Sequence, residues 1–155
     1  DPLTKTFYSI DIQYLEKRNS ANFIPDKLPE DAHNVSLEYL PTLLQGTGHT
    51  RTFFEISDEN IDAYITKYSE MAILPPFTVA ELYEQENSPV LSHLDDYVKG
   101  VSEPKFNMSL PSDISENYPN AKIYVIYSSF NWNHMYSKCF IVDEEACLVG
   151  FTEGG

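Results

Sequence analysis

From Val35 onward the chain alternates: Val35, Leu37 and Tyr39 are separated by polar residues, the two-residue period of a half-buried strand. Pro41 cannot donate to a ladder, so the strand stops before it. Gln45-Gly46-Thr47-Gly48 permits a reversal, and a second β-rich run, His49 to Ile56, follows. At Ser57 the period lengthens to that of a helix, with Ile61, Tyr64, Ile65, Tyr68, Met71 and Ala72 on one side. The pattern predicts strand, strand, then a helix whose apolar stripe lies on the sheet.

Other segments are read in the same way. Before residue 33 the pattern is ambiguous: Tyr8, Ile10, Ile12 and Tyr14 alternate like a strand, while Leu3, Phe7, Ile10 and Tyr14 keep helical spacing. In the central helix Ser57 suits the N-cap, Asp58 and Glu59 suit the first turn, and Pro75-Pro76 stops the run. Thr78 with Glu81 forms a capping-box pattern for a short helix through about Glu86. Ser88-Pro89 starts another, with Leu91, Leu94 and Val98 as its stripe. Residues 102–121 are mostly loop, with one turn of helix after Ser112. Ile123 to Tyr127 is apolar on both sides and predicts a central strand. A link from Phe130 to Ser137 leads to a strand over Lys138–Val142, a turn at Asp143-Glu144-Glu145 and a last strand, Cys147 to Phe151. The expected fold is one α+β domain over residues 1–155: a mainly antiparallel sheet of about five strands with helices packed on one face.

Composition narrows the function. A net charge of -14 argues against a nucleic-acid partner, since phosphate neutralisation needs clustered Lys and Arg. No apolar run is long enough to span a bilayer, so membrane association would come only through an upstream lipid anchor. A chain that starts Asp1-Pro2 without an initiator Met points to a trimmed or a processed start. Between Ser57 and Glu103 acidic residues far outnumber Lys67 and Lys99. If Asp143 to Ala146 form the last hairpin loop, Cys139 and Cys147 point to opposite sides of the sheet, which favours free thiols over a disulfide. A register with Val142 in the turn would oppose them directly.

Candidate chemistry is sparse. Gln45-Gly46-Thr47-Gly48-His49 lacks the Lys and the following helix of a phosphate loop, so its glycines read as turn residues. His33, His49, His93 and His134 have no metal-ligand spacing, and His93 beside Asp95-Asp96 reads as a solvated helix face. No Gly-x-Ser-x-Gly elbow occurs, and both cysteines fall in expected strands, away from the helix N-terminus that would stabilise a thiolate. No catalytic residue, metal ligand or cofactor is assigned. Phe130, Asn131, Trp132, His134 and Tyr136 form the one binding candidate, joining aromatic faces to amide and imidazole groups in a loop between strands. The alternative is that Trp132 folds back over the sheet edge as core.

Leu28-Pro29-Glu30-Asp31-Ala32-His33-Asn34-Val35, Leu44-Gln45-Gly46-Thr47-Gly48 and Phe54 before a capped helix resemble small bacterial exported or lipid-anchored domains of unknown function. The C-terminal Ile141-Val142-Asp143-Glu144-Glu145 and Val149-Gly150-Phe151 are similar to the hairpin that closes those chains. The resemblance implies an α+β fold and an extracellular or outer-surface location, with a cytoplasmic one as the alternative, and brings no catalytic residues. Three functions are carried forward. The first is a non-enzymatic module binding a protein or cell-envelope ligand through the sheet edge or the Trp132 loop. The second is an acidic inhibitor or immunity-type protein covering a basic partner site. The third is a hydrolase using scattered carboxylates with His49 or His134.

Overall fold

The computed structural model describes residues 2–19, 23–41, 48–84, 108, 110–131 and 134–154. The elements run α1 (Pro2–Asn19), β1 (His33–Leu40), β2 (His49–Glu55), α2 (Asp58–Met71), β3 (Phe77–Thr78), α3 (Val79–Tyr83), α4 (Ser112–Asn117), β4 (Lys122–Asn131), β5 (His134–Asp143) and β6 (Leu148–Gly154). The strands form one antiparallel sheet in the order β1-β2-β6-β5-β4-β3. Among the described residues there are six strands rather than about five, because Phe77 and Thr78 add a short edge strand beside Ile123 and Lys122. None of the helices among the described residues is long and apolar enough to cross a membrane.

The central unit folds as its periodicity requires except at Met71, which is exposed at the end of the stripe. Ile61 and Tyr68 are buried, and Tyr64 and Ile65 pack at the margin of the same cluster. Tyr68 stacks on Phe140, ring centroids 4.6 Å apart, and meets Phe151 edge-on at 5.2 Å. Such pairs add roughly 0.5–1.5 kcal/mol beyond area burial. Ser57 occupies the N-cap, but its side chain makes no capping bond. The Ser57 N–H donates instead to Asp31 Oδ2 at 2.7 Å, and the Asn60 amide donates to the same oxygen at 3.1 Å. A carboxylate distant in sequence thus caps the helix. The Ser57 and Asn60 donors hold its pKa well below the usual carboxylate range.

The N-terminal ambiguity resolves as a helix, rotated from the expected stripe. Tyr8 and Ile12 are buried, whereas Phe7 and Ile10 are exposed. The Tyr8 hydroxyl donates to the Pro25 carbonyl at 2.9 Å, and Lys5 donates to the carbonyls of Glu30 and Ala32. These polar tips anchor α1 beside the start of β1.

Helices serve both faces of the sheet, not one. Along β5, Phe140 and Val142 enter a cluster with Tyr8, Ile12, Ile61 and Tyr68 from α1 and α2. Cys139 and Ile141 enter a second cluster with Val79, Leu82 and Ile114 from α3 and α4. Double coverage also explains β4, which is apolar on both sides yet lies second from the edge rather than centrally. Ile123 and Val125 face one cluster and Tyr124 the other. The Thr78–Glu81 capping box forms as expected and starts α3. The helix expected after Ser88-Pro89 lies outside the described residues.

The closing hairpin is paired two residues out of the expected register. Asp143 pairs with Leu148 and Cys139 with Thr152, so Cys147 falls in the turn, at φ 52°. Asp143 Oδ1 accepts from Ala146 N–H at 3.0 Å, which selects this turn. Both thiols are free, Cys139 buried and Cys147 half-buried. On β6, Gly150 lies opposite Phe53, and a Cβ there would stand 2.3 Å from Phe53 Cε1. The ring crosses the glycine, so this strand position admits no side chain.

Candidate functional site

The segment expected to be a loop between strands is a two-stranded arm. Pairing of β4 with β5 continues through Ser129–Tyr136, Phe130–Met135 and Asn131–His134, past the last described β5–β6 pair, Ser137–Gly154. Three pairs extend the arm by about 10 Å at the usual rise per residue. Cross-strand pairing carries Asn131 into a strand that its own propensity would not form. The backbones of Phe130, Asn131 and His134 therefore belong to the arm, with Tyr136 at its base. Trp132, like Asn133, lies outside the described residues.

Among the described residues the outer edge of β4 has a strand partner over only part of its length. Among the described residues β3 pairs only with Lys122 and Ile123, and the Ile73 N–H then donates to the Val125 carbonyl at 2.8 Å. Beyond that bond, no strand among the described residues lies beside Tyr127 to Asn131 on that side. A bulge between Val125 and Tyr127 marks the change. Ile73 is 40% exposed and Tyr127 47% exposed, so apolar surface flanks the open edge.

At the base of the arm, four side chains meet. The Tyr136 hydroxyl donates to Glu153 Oε1, and Lys138 Nζ stands 4.0 Å from the same oxygen. Tyr127 and Tyr136 meet edge-on at 6.1 Å, and the Lys138 ammonium lies 5.7 Å from the centre of the Tyr127 ring. Glu153 is only 6% exposed, while Tyr136 is 36% exposed. Desolvation first, and then the Glu153 carboxylate, push the Tyr136 phenol above its ordinary pKa.

Across the sheet, the same end holds a second polar group. The Arg51 guanidinium donates to His49 Nδ1 at 3.2 Å, and His49 Nε2 lies 2.8 Å from Glu38 Oε1. A guanidinium can only donate, so Nδ1 accepts and the ring proton sits on Nε2, directed at Glu38. Arg51 is buried, and desolvation lowers its pKa against the opposing pull of Glu38 and Tyr83. Both imidazole nitrogens thus have a side-chain partner.

Other candidates gather no chemistry. His33 lies 3.1 Å from Glu55 at the opposite end of the sheet. His93, Asp95, Asp96 and residues 42–47 are outside the described residues. Burial pushes the Cys139 thiol up to about 12, so it is no nucleophile at neutral pH. No group of three or more His, Cys, Asp and Glu forms a metal-ligand set among the described residues. Sequence reading missed Arg51 and Glu153. The last strand was expected to end at Phe151, whereas it runs to Gly154 and carries Glu153 into the sheet. A charged residue within a β-rich run, as in Thr50-Arg51-Thr52, was the available signal. No family model, curated protein or solved structure matches the chain.

Proposed function

We propose that the protein is a non-enzymatic binding module that takes an extended segment of a protein ligand along the outer edge of β4 and the β4–β5 arm. The carrying observation is that edge, which has no strand partner from Tyr127 to Asn131 among the described residues and is flanked by exposed Ile73 and Tyr127. An added strand gains main-chain hydrogen bonds there, with neighbouring side chains supplying specificity. The motif resemblance supports an exported protein with a ligand at the cell envelope.

The test is selection of extended peptides from a displayed library on the whole chain, followed by amide exchange with the selected peptide bound. Protection of amides within Tyr127–Asn131, weakened by Trp132→Ala, is the expected result. Peptides that protect a different region, or no enrichment at all, contradict this function.

The charge of -14 favours a second reading, an acidic inhibitor that covers a basic site on its partner. Its contacts would centre on the exposed acidic residues of α2, Asp58, Glu59, Asp62 and Glu70, rather than on the arm. Its association rate would fall steeply with added salt.

A further inference from the structure

We infer that the base of the arm receives one basic side chain, lysine or arginine, from the protein ligand, with Glu153 as its acceptor and the Tyr127 and Tyr136 rings as its walls. This assignment rests on the binding-module reading and names the ligand chemistry of that surface.

The Glu153 carboxylate is incompletely paired. Glu153 Oε1 accepts from Tyr136, but Oε2 is buried without any hydrogen-bond partner. It is the one buried side-chain nitrogen or oxygen so placed among the described residues. Buried polar groups are normally satisfied, and a charged acceptor is the costliest kind to leave open. Lys138 does not fill the gap, because its ammonium lies 4.0 Å away on the Oε1 side, beyond hydrogen-bond reach.

The missing group must donate, and the surroundings favour a cation. Tyr127 already holds the Lys138 ammonium near its ring, so this ring accepts positive charge. Tyr127 and Tyr136 are both exposed while Glu153 is buried, so an incoming basic side chain meets the aromatic rings first and reaches Oε2 by displacing what covers it. The negative charge of the whole protein draws a basic segment toward it. A metal ion is a poor match, because no second carboxylate, His or Cys joins Glu153 in a ligand set among the described residues.

The test titrates the whole chain with Nα-acetyl-lysine methylamide and Nα-acetyl-arginine methylamide, observed by NMR. Side-chain-acetylated lysine and norleucine analogues serve as neutral controls. The expected result is saturable shifts at Tyr127, Tyr136, Lys138 and Glu153 with a basic probe and none with the neutral ones. Glu153→Gln should weaken binding about tenfold or more, since an amide presents a donor where the cation needs an acceptor. Exposed Tyr127→Ala should weaken it about threefold, and it serves as the readout if the Glu153 variant does not fold. Wild-type affinity in a folded Glu153→Gln protein, or in Tyr127→Ala, overturns the assignment, as do absent shifts or equal binding of the neutral analogues. If a selected peptide still protects Tyr127–Asn131 in Glu153→Gln with unchanged affinity, the basic-side-chain assignment fails and the binding-module reading stands. If no peptide protects the arm in the wild type, that reading fails as well.

Discussion

The two ends of the sheet treat their polar groups in opposite ways. At the end where α2 begins, polar groups close mainly on backbone: Asp31 caps Ser57, Asp143 accepts from Ala146, and the Ile56 N–H donates to the Cys147 carbonyl, while the side-chain contacts of His33 and Asn34 with Glu55 lie at the surface. At the arm end, charged side chains are buried against other side chains. Arg51 leans on His49 and Glu38, and Glu153 on Tyr136, with Glu153 Oε2 left open. A backbone partner fixes a turn or a helix start and completes it. A buried charge held by side chains costs desolvation and does little for stability. Under the proposed function, the first end supplies stability and the second meets the ligand.

The largest effect that would break this contrast concerns α2. Tyr68→Ala removes a ring that is 5% exposed and stacked on Phe140, and should cost roughly 3–5 kcal/mol in urea unfolding. A loss under about 1 kcal/mol would mean that the helix does not lie on the sheet. Next, Gly150→Val drives methyl groups into the Phe53 ring and should cost about 1–3 kcal/mol. Combining it with Phe53→Ala should recover part of that loss in a double-mutant cycle, whereas simple additivity would refute the contact.

Acid titration sharpens the contrast further. The Asp31 pKa is depressed on folding, so its contribution is full above the unfolded value and is lost as pH falls through the folded one. Melting temperature should therefore drop on acidification from about pH 5 downward, and Asp31→Ala should flatten that limb. An unchanged limb in the variant would remove Asp31 from its capping role. The smallest expected effect is at the arm: Glu153→Gln should change stability by under about 1 kcal/mol at neutral pH, because removing a buried charge offsets a weakened Tyr136 bond. A loss above about 3 kcal/mol would make Glu153 a structural residue.

Sequence pattern made the closed end legible and left the other obscure. The stripe from Ile61 to Tyr68, the strands on either side of residues 41–48 and the Thr78–Glu81 box are all written within a few residues of one another. Local periodicity carries such features directly. Whether a sheet is covered on both faces depends on helices far along the chain, so Val79, Leu82 and Ile114 could not announce the second layer. The arm escaped for a similar reason. Asn131 and His134 enter strands only because Tyr124 to Ser129 and Ser137 to Val142 are already paired. Glu153 and Arg51 look like ordinary surface charges until their cross-strand partners are known. In α1 the stripe was misplaced because Tyr8 and Ile12, rather than Phe7 and Ile10, meet the sheet, and both sets keep helical spacing.

Amide hydrogen exchange over Tyr127–Asn131, with and without acetyl-Val-Lys-Val-Lys-Val-amide, reports on the β4 edge itself. An open outer edge predicts that alternate amides of this stretch exchange fast in the free chain and slow when the peptide binds, while those of β6 stay protected throughout. Slow exchange of every one of those amides in the free chain, or no change on adding the peptide, would contradict it.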